Sequence, residues 1–277
     1  MIDFCILGNP RSGTTLLRLM LSTHPDITVP PEAGFAVWLM ENWEGEFSPE
    51  IYVEKLCQTK KIESWQIDQK ELTAYLHKNK VDSLKSAILQ TYEFYRENEQ
   101  VQFIGDKNNF YLDHIDTLKK INSSMSYIHI VRDGRDVACS YLQLMNKKYT
   151  SKYAPILPTN ITEIASSWSQ NNNKIRAGIP PEKIITIRLE DLVEKPENEL
   201  KRVCKFLGYK YDIKMLDYYK NSDNYEPKEY DEWKSKNKKP IENDNFKFKR
   251  ILSQADIAEF EKVAADTLAH FGYELLS

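Results

Sequence analysis

The sequence has no apolar run approaching the roughly 18 residues that a membrane-spanning helix needs, and no membrane span is expected. Its four cysteines, Cys5, Cys57, Cys139 and Cys204, lie far apart with no Cys-x-x-Cys pair. That spacing argues against a disulfide framework and against a zinc site. Neither sign of charge dominates: 38 basic side chains face 41 acidic ones, a net charge of −3. Nothing global therefore favours nucleic acid or an anionic membrane, and any anion site has to be local. A basic segment followed by an apolar stretch is also missing ahead of the first strand, which makes a cytoplasmic protein the expectation. Repeats, low-complexity tracts and linkers are absent as well, so a single domain over 1–277 is expected.

What is present starts at once. The apolar run Phe4 to Leu7 breaks at Gly8, passes through Pro10 and Gly13, and gives way to a helical pattern with Leu16, Leu17, Met20 and Leu21. Strand, loop and helix in that order aim backbone N–H groups and the positive end of a helix dipole at one place, an anion site suited to phosphate. Gly8 and Gly13 match the frame of the nucleotide P-loop, but Thr14 stands where that loop has lysine. A chain without the lysine is poorly built for nucleoside triphosphate chemistry. The cation sits instead at Arg11, whose planar fork suits bidentate contact with a phosphate or sulfate.

Further along, residues 49 to 98 are helical in pattern and carry no recognisable chemistry, and a helical cap over about 36–98 is expected. Phe35, Trp38 and Trp43 recur at helical spacing, which more often means core than an acceptor pocket. A strand from Val101 to Gly105 runs into Asp106-Lys107, and a second, Tyr127 to Val131, runs into Arg132-Asp-Gly-Arg-Asp136. A strand at Lys183 to Leu189 precedes a helix that opens near Pro196 and closes at Gly208. Ser253 with Asp256 is a capping-box variant starting the last helix, which Gly272 ends. Strands separated by helices predict an α/β fold with a mainly parallel central sheet flanked by helices, a three-layer P-loop-type architecture with ligands at the carboxyl ends of the strands. Gly8, Lys107 and Arg132 all fall at such ends. Residues 220 to 250 are polar, with Lys234, Lys236, Lys238 and Lys239 and a second cluster at Lys247, Lys249 and Arg250, the pattern of a mobile basic loop. His129, inside an apolar strand, reads as a core histidine and not as a base; Arg135 and Asp136 read as partners of backbone or of each other.

Pro10-Arg-Ser-Gly-Thr-Thr15 together with Val131-Arg-Asp-Gly-Arg-Asp136 resembles the sulfotransferases that use 3′-phosphoadenosine 5′-phosphosulfate (PAPS), in the branch holding protein-tyrosine sulfotransferases and many bacterial members. The resemblance extends over Arg188-Leu-Glu-Asp-Leu192 and the closing Phe271-Gly-Tyr273. It implies that Arg11, Ser12, Gly13, Thr14 and Thr15 surround the 5′-phosphosulfate, and that Arg132 and Ser140 bind the 3′-phosphate. It further implies Lys107 beside the transferring group, Glu32 as general base, and Lys249 and Arg250 in a loop closing over the 3′-phosphate. Leu189, Asn108-Asn109 and Phe248 depart from the usual tyrosine, Thr-Pro and tryptophan of the family. The implied cosubstrate is PAPS, with no metal expected because its leaving group is a phosphate with a 3′-phosphate handle and not a triphosphate that needs magnesium, and the acceptor bears a hydroxyl: a sugar, a phenol, a small alcohol or a peptide tyrosine. Two other readings stand beside it, a P-loop small-molecule kinase and a catalytically silent nucleotide-binding or interaction protein.

Overall fold

The computed structural model describes residues 2–145, 151, 156–220 and 239–276. Lys234, Lys236 and Lys238, and most of the basic loop expected at 220 to 250, lie outside the described residues. Five strands form one parallel sheet: β1 (Phe4–Leu7), β2 (Ile27–Thr28), β3 (Phe103–Lys107), β4 (Ser126–Val131) and β5 (Ile184–Arg188), in the order β2-β3-β1-β4-β5. The chain leaves the central β1 toward β2 on one side and later crosses to β4 on the other, so a crevice opens at the carboxyl ends beside β1.

Alternation along β1 divides the core. Cys5 and Leu7 pack with the helices of the 35–98 segment, while Phe4 and Ile6 pack with α1 (Thr14–Ser22) and the helix at 196–207. The segment before β3 contains α2 (Phe35–Asn42), α3 (Pro49–Cys57), α4 (Gln69–Lys78) and α5 (Leu84–Asn98). Ser48 and Asp68 cap α3 and α4 by accepting first-turn N–H groups, which satisfies donors that have no intrahelical partner. Phe35 stacks with Tyr92 and meets Trp65 edge-on in the core, and Trp43, partly buried, packs at the core's edge with Phe47 and Tyr52; Trp38 is 43% exposed.

α6 (Ile115–Ile121), α7 (Gly134–Met145) and α8 (Ile161–Gly178) follow, then a short α9 (Leu189–Glu194), α10 (Pro196–Leu207), α11 (Phe248–Ile251) and α12 (Gln254–His270). Gly208 ends α10 in the left-handed region at φ 79, and both halves of the Ser253/Asp256 capping box are made. The strand expected to reach Leu189 stops at Arg188, because Leu189 turns to open α9 and packs where a side chain on Gly13 would lie, with its Cδ1 2.6 Å from that position. β3, conversely, continues through Asp106 and Lys107, both about 1% exposed. Among the described residues no helix is long and apolar enough to cross a membrane.

Candidate active site

The loop from Gly8 to Gly13 lies against the end of β4. A Cβ on Gly8 would sit 2.5 Å from the Ile130 carbonyl oxygen, so only glycine permits this approach. Gly13 caps α1 at φ 92 with no side-chain hydrogen bond, which leaves the first-turn amides of Thr14 and Thr15 without an intrahelical acceptor. Arg11 also adopts a left-handed backbone, φ 71. That geometry costs a non-glycine residue on the order of 1 kcal/mol or more, and such residues concentrate at functional sites.

Neutral hydrogen bonds brace the loop from behind. Asn9 donates to the Tyr141 hydroxyl at 3.1 Å and to the Pro10 carbonyl at 2.9 Å, and its own carbonyl accepts from Asn171 on α8 at 2.8 Å. Tyr141 donates in turn to the Pro10 carbonyl at 3.3 Å. Burial pushes the Tyr141 phenol up to about 12, so it remains a neutral donor. Neither Asn9 nor Asn171 was legible as a site residue.

On the β4 side, Arg132 and Ser140 come to the same place as the loop. Arg11 Nε donates to Ser140 Oγ at 3.1 Å, and Arg132 lies with its guanidinium 3.4 Å from the Arg11 carbonyl and 3.5 Å from Asp136 Oδ2. Two buried polar atoms here have no partner, Ser12 Oγ and Arg132 Nε. Buried polar groups are normally satisfied, and this pair of orphans fits an oxyanion ligand. The other members of the Arg132–Asp136 motif are structural. Asp133 and Arg135 pair at 2.8 Å, Arg135 also pairs with Glu261, and Glu190 accepts the Asp133 amide and the Tyr273 hydroxyl, each at 2.9 Å. Asp136 accepts two amides of the C-terminal segment, from Phe246 and Phe248.

At the β3 side, Glu32 and Lys107 are joined directly. Lys107 Nζ donates to Glu32 Oε1, and Lys61 Nζ holds the other oxygen at 3.3 Å; the Lys107 side chain is 1% exposed and that of Glu32 12%. The strand leading to Glu32 is pinned by Arg18 and Ser22, which both donate to the Val29 carbonyl, and Trp65 donates to the Pro31 carbonyl. Gly34, at φ 67, then starts α2 so close to Asn108 that a Cβ would lie 2.8 Å from its amide nitrogen. Asp106, facing away from Lys107, is fully buried. It accepts the Tyr92 and Tyr111 hydroxyls at 2.5 Å each and the Lys107 amide at 2.6 Å, and burial raises its pKa above the usual range.

Register brings these parts together. Ile6 pairs with Lys107 and Leu7 with His129, so the exits of β3, β1 and β4 are adjacent. Lys249 and Arg250 are exposed, Arg250 on Asp244 at 3.0 Å and Lys249 over the Phe246 ring at 5.6 Å. Lys247, not singled out as a ligand, is instead 5% exposed with Nζ 3.4 Å from Gln143 Oε1 on α7. His129 is buried, bonded to Asn172 at 2.9 Å, and its pKa is lowered by burial to about 4. Among the described residues no cluster of His, Cys, Asp and Glu has the makings of a metal site.

A phosphate-type loop at the exit of the central strand of an all-parallel sheet, with cations from the neighbouring strand, defines a P-loop-like α/β protein. Residues 3–212 match the sulfotransferase family, and the chain belongs to that family. It is 26% identical over 216 residues to protein-tyrosine sulfotransferase 1 of Danio rerio, covering 76% of this chain and 54% of that protein. The chain spans between 49% and 66% of the length of the curated relatives it matches. The fold is shared with the sulfotransferase domain of the Synechococcus PCC 7002 olefin synthase, TM-score 0.66 at 22% identity, covering 99% of this chain and 96% of that one. It is shared also with mouse sulfotransferase SULT7A1 complexed with PAP, TM-score 0.50 at 13% identity, covering 96% and 84%.

Proposed function

We propose that the chain transfers a sulfuryl group from PAPS to an acceptor hydroxyl, within one domain spanning the sequence. The observation that carries this reading is the meeting, at three adjacent strand ends, of a lysine-free phosphate loop, an Arg132/Ser140 pair and a Glu32–Lys107 pair. Transfer in line between two oxygens asks a protein for positioning, for positive charge near the leaving oxygen and for a base at the acceptor. PAPS, when bound, supplies the activated sulfuryl group. The amides of Gly13 to Thr15, the Ser12 hydroxyl and Arg11 hold its 5′ end. Arg132 and Ser140 take the 3′-phosphate, with Arg11 bridging the two sites through its bond to Ser140. Lys107 neutralises charge at the leaving oxygen, and Glu32, which two ammonium groups hold in place, accepts the acceptor proton. Lys249 and Arg250 belong to the segment that covers the 3′-phosphate.

Thermal unfolding in the presence of adenosine 3′,5′-bisphosphate tests the nucleotide half. At about a hundredfold its dissociation constant it adds roughly 2.7 kcal/mol, while ATP with magnesium adds nothing measurable. Stabilisation by ATP alone would overturn the reading in favour of a P-loop kinase. Bisphosphate binding without labelled sulfate reaching any sugar, phenol, alcohol or tyrosyl peptide would make the chain a silent nucleotide binder.

A further inference from the structure

One face of α7 carries Asp136, Ser140 and Gln143, spaced four and three residues apart as neighbours on one helix face are; the first and last meet the C-terminal segment, and Ser140 between them meets the phosphate loop. Asp136 accepts the Phe248 amide on Oδ1 and the Phe246 amide on Oδ2, each at 2.9 Å. Ser140 accepts from Arg11, and Gln143 from Lys247. The residue between the two gripped amides is Lys247, 5% exposed. Phe248 is fully buried beneath the Arg135 guanidinium, 4.1 Å from ring to carbon, and Phe246 turns the chain at φ 56. The turn is therefore clamped by one carboxylate, and the clamp sets where a buried ammonium lies relative to Ser140 and Arg132.

A buried carboxylate beside a phosphate site is electrostatically unfavourable. Asp136 is nevertheless there, 0% exposed, with Arg132 NH2 3.5 Å from the oxygen that also takes the Phe246 amide. Its oxygens are turned to the two amides and to Arg132, which gives its presence a structural reason. We propose that Asp136 is a positioning residue for 3′-phosphate recognition: by docking the 246–248 turn on α7 it brings Lys247 to the Arg132/Ser140 site as a further cation. This rests on the nucleotide reading above.

The two physical effects of Asp136→Asn have opposite signs. Removing a negative charge near a bound phosphate tightens binding if charge alone matters. Loosening the turn weakens it, because an amide nitrogen now faces one of the backbone N–H groups. Calorimetry of the full chain with adenosine 3′,5′-bisphosphate and with adenosine 5′-monophosphate separates them. We expect Asp136→Asn to weaken the bisphosphate at least tenfold and the monophosphate less than twofold, with faster amide exchange at Phe246 and Phe248 and retained protection in α12. Lys247→Met, which leaves the clamp in place, should show the same selective loss, and adding it to Asp136→Asn should cost less than a further twofold. Tighter or unchanged bisphosphate binding in Asp136→Asn, equal losses for both nucleotides, or no selective loss in Lys247→Met would overturn the proposal while the parent still binds the bisphosphate. A parent that binds no bisphosphate removes the nucleotide reading itself.

Discussion

The two sides of the crevice are built from different interactions. Behind the phosphate loop stand neutral partners, Asn9, Tyr141 and Asn171, which fix backbone without adding charge. On the β3 side the central element is an ion cluster, Glu32 between Lys107 and Lys61. Neutral bracing leaves the electrostatic field of the loop to its amides and to Arg11, which suits a site whose ligand brings the negative charge. An ion cluster instead holds one carboxylate in a fixed direction, as the positioning of a proposed base at an acceptor requires. Binding and proton transfer should therefore respond to different substitutions.

The sharpest way to break that division is Glu32→Gln. Turnover should fall by roughly 10² to 10⁴, the usual range for a lost general base, while bisphosphate affinity holds within about twofold. Turnover within about threefold of the parent, for every acceptor tried, would make Glu32 a structural carboxylate and move attention to His114, which is bonded to Glu41 at 2.8 Å. Arg132→Ala addresses the other side: a lost charged hydrogen bond of about 2 kcal/mol weakens the bisphosphate about thirtyfold. Adenosine 5′-phosphosulfate should be little changed, and equal losses in calorimetry would place Arg132 elsewhere.

The sheet between the two sides has its own signature in acid. His129 has a folded pKa of about 4, below its unfolded value near 6.5, so the unfolded chain takes up the proton more readily. Its contribution to stability is complete above that unfolded value and is lost as pH falls toward about 4, close to 2 kcal/mol between pH 7 and pH 5. Burial raises Asp106, Asp136 and Glu190, which favours the folded state as pH falls, so the parent must be compared with His129→Gln in denaturant titrations. A gap between the two that does not change with pH would contradict the assignment. The smallest effect belongs to Tyr141→Phe, which removes the hydroxyl that Asn9 and Pro10 share. A loss of about 1 kcal/mol, roughly fivefold, should fall equally on nucleotides with and without a 3′-phosphate. A selective loss would mean that the bracing serves the Arg132 side.

Local signals carried most of the fold. The Ser253/Asp256 box, Pro196 opening α10 and Gly208 closing it are chemistry within one turn of chain, and each is present. Gly8, Lys107 and Arg132 were readable as strand-end residues because βαβ units put their carboxyl ends on one edge. What stayed hidden depended on partners far away in sequence. Asp106 reads as a charge that ends a strand, yet Tyr92 and Tyr111 bury it. The basic cluster was visible, but which lysine turns inward is set by the grip of Asp136, 110 residues from Phe246. Likewise Leu189 is apolar enough to extend β5, and only its packing beside Gly13 shows why it begins a helix.

Asp106 and Lys107 are consecutive on β3, so they face opposite sides of the sheet. A slip of β3 by one residue against β1 would exchange them, presenting a carboxylate to the crevice and burying an ammonium among tyrosines. The same residues in the wrong frame would then repel the anion they are placed to attract. The Tyr92 and Tyr111 hydroxyls, from two different segments, act on Asp106 as a key acts on a single notch. They accept the strand in one frame only, and the sign of the charge at the crevice is fixed by two hydrogen bonds on the far face of the sheet.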